Sequence, residues 1–195
     1  MTSMEHGVRE SWGRIEDWLR VHARTAPVRP AADAGRLDAA AAEAAVPSLP
    51  AEVREWWALA GVSADFWIPG PFAPVALEEA LETREIWLLV AEEEEPPADG
   101  NGDDQPRILP EFMPIAMSPG GDGLIVELRA GEHHGAIFLW DHERWGLGVP
   151  LWDSVGSMLQ DIAVALESRT PVLLRHAALG GAEAVRIGRR SSCPA

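Results

Sequence analysis

The stretch Pro110–Glu143, PEFMPIAMSPGGDGLIVELRAGEHHGAIFLWDHE, decides the fold of this 195-residue chain. Met113 to Met117 is a first apolar run, closed by the turn-forming Ser118-Pro119-Gly120-Gly121-Asp122-Gly123. In the second run Leu124, Val126 and Leu128 fall on one face and Ile125 and Glu127 on the other, the two-residue period of a strand. Residues 129–135 (RAGEHHG) make a second connection, and Ala136 to Trp140 a third strand. Glycines at 120, 121, 123, 131 and 135 are expected to supply the positive φ angles of tight hairpins. No catalytic constellation stands out in the stretch, which reads as a scaffold presenting a surface.

Working upstream, Val8, Trp12, Ile15 and Leu19 recur at helical spacing, while Glu5, Arg9, Glu16 and Arg20 fall off that line. The prolines at 27 and 30 end this helix. Asp33 suits the N-cap of an alanine-rich helix over 34–45, which has few large apolar residues and is expected to be peripheral. In Leu49-Pro50-Ala51-Glu52-Val53-Arg54-Glu55-Trp56-Trp57-Ala58-Leu59-Ala60-Gly61, Pro50 suits a first helical turn, Glu52 its positive end and Gly61 its C-terminal cap. Phe66-Trp67-Ile68 makes a short extended piece before Pro69-Gly70-Pro71, and another helix runs from Pro74 to Val90. The segment 92–105 (EEEEPPADGNGDDQ) combines like charges with prolines and glycines, the composition of a solvated, mobile loop.

Downstream, Trp145 to Trp152 reads as an irregular strand or loop. Asp153 or Ser154 then caps a helix carrying Val155, Leu159, Ile162, Ala163 and Leu166. Helices, then antiparallel strands, then a helix make an α+β fold: a single domain over 1–168 with a central, mostly antiparallel sheet flanked by helices. Residues 169–195 form a C-terminal extension, expected to be partly frayed and ending in the basic Arg186, Arg189 and Arg190.

The formal net charge of −15 repels phosphate backbones, which argues against nucleic-acid binding and favours a basic protein surface as partner. Nine tryptophans without a tyrosine point to indoles in the core or at its edge. The lone Cys193 can form no disulfide within the chain and no thiolate zinc site. The N-terminus lacks the apolar segment of a signal peptide, and no apolar run can span a bilayer, so a cytoplasmic protein without a membrane partner is expected.

An enzyme would have to be built from His133, His134, Asp141, His142 and Glu143, if the turn at 131–135 and the Asp-His-Glu after the next strand converged. Adjacent histidines point apart, and no His-Glu-x-x-His spacing occurs, so no metal and no cofactor are expected. Gly120-Gly121-Asp122-Gly123 precedes a strand rather than a helix, which removes it as a phosphate loop. No nucleophile motif appears, and the expectation is that the chain is not an enzyme.

The chain resembles the SUKH superfamily, the fungal cell-wall assembly regulators and their bacterial relatives. The resemblance rests on Trp12-x-x-Ile15-Glu16-x-Trp18-Leu19, Leu49-Pro50-x-x-Val53-x-x-Trp56-Trp57-x-x-x-Gly61 and Trp67-x-Pro69-Gly70. It continues through Met113-Pro114-Ile115-Ala116, Gly123-Leu124-x-Val126-Glu127-Leu128 and Gly135-x-Ile137-x-x-Trp140-Asp141-His142-Glu143, spanning roughly residues 8–168. Where the family often has Asn-Gly this chain has Ala60-Gly61, and where it often has Asp in the second strand Glu127 stands. The resemblance implies a non-catalytic α+β domain. Bacterial members look like immunity proteins that neutralise a cognate toxin, often a nuclease; fungal members look like scaffolds in cell-wall signalling. The expected partner is therefore a toxin with a basic surface, or alternatively a host protein held by a regulatory scaffold. The contact surface is expected on the sheet face and its turns, with Trp67, Glu127, His133, His134, Asp141, Glu143 and Trp145 as candidate contacts.

Overall fold

The alternation read in residues 112–141 is realised as three strands, β2 (Phe112–Met117), β3 (Gly123–Glu127) and β4 (Ile137–Asp141). The computed structural model describes residues 7–22, 31–59, 72–93, 108–143 and 146–168. The other elements are α1 (Val8–His22), α2 (Ala34–Glu43), α3 (Ala51–Leu59), β1 (Ala73–Pro74), α4 (Leu77–Glu93), β5 (Gly146–Trp152) and α5 (Val155–Ser168). The five strands form one sheet in the order β1-β2-β3-β4-β5, each neighbour antiparallel. The chain is thus an α+β domain. The extended piece at 66–68, Gly61, most of the acidic segment and the extension from 169 lie outside the described residues.

Register sends alternate side chains to two different cores. Met113 faces Val126 across the β2–β3 pair, and both join Ile115, Leu124 and Ile137 beneath α1, α2, α3 and α5. Phe112, Ile125, Phe138 and Trp140 point the other way, where Trp87, Leu88 and Ala91 of α4 pack on them. Every residue of β3 is consequently buried. This corrects the expectation of an open sheet face: both faces of β2–β4 are covered, and the second by an acidic helix whose apolar stripe is not obvious from its sequence.

Three local expectations are revised. Pro74 does not start α4. Ala73 and Pro74 pair with Met117 and Ala116 as an edge strand, where a proline without an N–H is tolerated. Gly120 and Gly123 do not take positive φ, whereas Gly121, Gly131 and Gly135 do. Gly123 is required for close approach instead, since a Cβ there would lie 2.9 Å from the Trp87 ring. The alanine-rich α2 is not peripheral: Ala40, Ala41 and Ala44 are buried with Leu37, because small side chains let this helix approach the core closely. Of the two readings offered for residues 145–152 the irregular strand is the one formed, as β5 over 146–152 with register shifts against β4.

Other expectations hold. Asp33 accepts the Arg36 N–H at 2.8 Å and caps α2. Ser154 caps α5, its Oγ accepting from Ser157 N at 3.2 Å while Ser157 Oγ accepts from Ser154 N at 3.1 Å. Val8, Trp12 and Ile15 of the α1 stripe are buried; Leu19 has a side chain outside the described residues. Every described tryptophan is wholly or partly buried, which makes core filling their main role.

Candidate functional site

The two ends of the central sheet carry different chemistry. At one end the β3–β4 connection holds Glu127, Arg129, His133 and His134; at the other the β2–β3 turn and the end of β4 hold Asp122, Asp141, His142 and Glu143. The histidine pair and the Asp-His-Glu therefore do not converge. A hairpin joins its strands at the turn, and the five residues of β4 separate its two ends by roughly 15 Å.

At the turn end, Gly135 takes φ +88° and sends its N–H to Glu127 O at 2.7 Å, closing the connection. Glu127 is not displayed. Its side chain is 4% exposed, and Arg129 covers it with Nε donating to Oε1 at 2.9 Å and Nη2 donating to Oε2 at 2.6 Å. The Arg129 backbone N–H adds a third bond to Oε1 at 3.0 Å. The guanidinium also stands over the Phe112 ring, 5.3 Å from its centroid, and its pKa is raised mainly by the hydrogen bond to Glu127. Arg129, half exposed and fixed on three sides, is the group presented here; its position two residues from Glu127 on the same strand face was the available sequence signal. His133 packs edge-on to Phe138, centroids 5.7 Å apart, and the His134 Nδ1 lies 3.1 Å from Arg129 O. Both histidines are exposed.

Beside this turn lies a groove of about 360 Å³, bounded on its far side by the α2–α3 connection. Val46, Pro47, Leu128 and Ala130 give it apolar walls; Glu111, Arg129 and His134 give it polar ones. The connection is shaped by the end of α2, where Ala45 adopts φ +55°. Ala45 N donates to Ala42 O and Val46 N to Ala41 O, each at 3.0 Å, the paired bonds of a Schellman cap with alanine where glycine is usual. Sequence reasoning did not single out residues 45–48 or Glu111, which become neighbours of the turn only through the fold.

At the other end, His142 donates its backbone N–H to Asp122 Oδ1 at 3.2 Å, and its Nδ1 lies 2.8 Å from the same oxygen. The hydrogen bond to Asp122 holds the His142 pKa above its ordinary value, with the charges of Asp122, Glu143 and Asp141 acting the same way. Asp122 itself is fixed by its N–H on Ser118 Oγ at 3.0 Å. Asp141 Oδ1 accepts from Glu143 N at 3.0 Å. Asp122, Asp141 and His142 place one possible ligand atom each within 4.8 Å of one another, so these three are the residues that could hold a cation. Their present geometry is that of a hydrogen-bonded imidazole–carboxylate pair. Asp122 was considered at the sequence level only as part of a glycine-rich turn. Trp67 and Trp145, also candidate contacts, lie outside the described residues.

No helix among the described residues is long and apolar enough to cross a membrane. No curated protein matches the chain. The model of the SMI1 / KNR4 family (SUKH-1) matches residues 34–161, from the start of α2 into α5, and so takes in the groove, the sheet and both of its ends. On that match over most of its length, the chain belongs to the SMI1 / KNR4 family, SUKH-1.

Proposed function

We propose that this chain is a non-catalytic, cytoplasmic immunity protein, which binds a cognate toxin bearing a basic surface and neutralises it by occupation. Membership of SUKH-1, generally a family of protein-binding domains, supports the coarse part of this reading. The observation that carries the rest is the groove beside the β3–β4 turn. There an apolar lining, a fixed guanidinium and the exposed His134 meet on a domain whose sheet faces, among the described residues, are already covered. Arg129 and His134 form its contact rim, with Glu127 holding Arg129 in place and His133 on the same turn; Asp141 and Glu143, at the other end of the sheet, are separate candidate contacts, as are Trp67 and Trp145, which lie outside the described residues. The net charge of −15 favours rapid capture of a basic partner.

The test is co-expression with the toxin encoded next to this gene, scored by survival and by co-purification. Protection together with a stable complex is the expected result. Growth arrest in its presence and no complex would falsify the proposal. A complex with a housekeeping wall-synthesis protein, and none with a toxin, would move the assignment to a regulatory scaffold.

A further inference from the structure

We infer that the groove is a socket for one basic side chain, a lysine or arginine of the protein partner, seated on Glu111; this rests on the protein-binding reading above. Glu111 lies in the wall of the groove, and among the described residues no donor binds its carboxylate. The two guanidiniums whose charge interacts with it are both engaged elsewhere. Arg129 spends its fork on the buried Glu127. Arg84 is 7% exposed and gives its Nε to Pro110 O at 2.7 Å.

Among the described residues, carboxylates outnumber the guanidiniums that act on them around this groove. Arg36 bridges Glu43 and Glu78, and Arg84 lies in the field of Glu43, Glu85 and Glu111. With Arg129 between Glu127 and Glu111, three guanidiniums face five carboxylates. An acidic side chain entering the groove would meet Glu111 and find the Arg129 fork occupied. A purely apolar one would desolvate Glu111 without giving it a partner. A lysine or arginine satisfies both features: its methylene stem packs on Val46, Pro47, Leu128 and Ala130 while its head reaches the carboxylate.

The probe is a set of capped tripeptides, Ac-Gly-X-Gly-NH2, with X as lysine, arginine, norleucine or glutamate, titrated into the 15N-labelled full chain. Lysine and arginine peptides are expected to give saturable amide shifts at Ser48, Ala130 and His134, with norleucine and glutamate much weaker. Glu111→Gln should weaken the lysine peptide by about fivefold, the scale of one partly exposed ion pair. Glu82→Gln, on the exposed outer side of α4, should leave it unchanged. Equal binding of lysine and norleucine, preference for glutamate, or no shift with any peptide overturns the assignment. Failure here is separable from failure of the functional reading. A chain that protects against its toxin yet ignores the lysine peptide loses only the socket, and a chain that binds the peptide yet protects against nothing loses only the immunity role.

Discussion

Glu52 caps a helix other than its own: its Oε2 accepts the Gly156 N–H at 2.9 Å, joining the first turn of α3 to the first turn of α5 across 104 positions of sequence. The carboxylate meets the positive end of α5 and satisfies one of its free N–H groups. The missing side chain of Gly156 makes room for that contact: a Cβ there would lie 2.8 Å from Glu52 Oε1 and push the carboxylate aside.

The two positions should therefore be coupled. Glu52→Ala is expected to cost about 1 kcal/mol, the usual worth of a cap. Gly156→Ala in the wild-type background should cost less, roughly 0–1 kcal/mol, because expelling the carboxylate loses the cap while the helix preference of alanine offsets part of that loss. In the Glu52→Ala background the same glycine change should be stabilising, by about 0.5–1 kcal/mol, since no carboxylate is displaced and alanine favours helix. Urea melts of the four proteins give the cycle, and simple additivity of the two losses would refute the coupling.

Arg129 should matter more to stability than its half-exposed position suggests. Its removal by Arg129→Ala leaves a carboxylate whose side chain is 4% exposed with, among the described residues, one remaining donor, the backbone N–H of residue 129. The expected loss is about 2–4 kcal/mol, a buried pair discounted for the exposed partner. Arg129→Lys should recover only part of it, because an ammonium cannot make both fork contacts. Thermal and urea unfolding of the two variants test this; a loss within error of wild type for the alanine variant rules it out.

Ala45 is placed where glycine would be cheaper. With φ at +55° its Cβ crowds the backbone, and the cap bonds on either side hold it there. Ala45→Gly is expected to stabilise the chain by about 0.5–1 kcal/mol. A lower melting temperature would show that the Ala45 methyl, in the groove wall, contributes packing that outweighs the backbone strain.

How far the chain could be read in advance follows from which interactions are local. The strand period in residues 124–128, the Asp33 cap and the Ser154 cap are decided within a few residues, and each was legible. Glu127 was misjudged because alternation assigns it to the face opposite Val126, and nothing local shows that α4 covers that face. Trp87, Leu88 and Ala91 do so with a stripe diluted by glutamates, so the helix looks more solvated than it is. Asp122 and His142 lie 20 positions apart, and the groove joins residues 45–48 to residue 111 and residues 128–134; only the completed sheet brings these together. Gly123 shows the same limit in small: its need is the Trp87 ring, not a turn angle.

The Asp122–His142 pair makes stability depend on pH in a definite direction. Because Asp122 raises the folded-state pKa of His142 above its ordinary 6.5, the folded chain binds the proton more tightly than the unfolded chain. The stabilisation is fully present below that ordinary value and disappears as pH rises through the folded-state pKa. Asp122→Asn keeps the turn bond from residue 122 N to Ser118 Oγ but removes the charge, so its deficit against wild type should be largest near pH 5 to about 6 and should shrink toward about pH 9. Thermal melts across that range measure the deficit. The His142 imidazole signals in NMR give the second reading: their midpoint should lie above 6.5 in wild type and fall in Asp122→Asn. The remaining charges of Asp141 and Glu143 act on the same ring, which makes the fall partial rather than complete. Identical midpoints in the two proteins would mean that the 2.8 Å contact does not persist in solution.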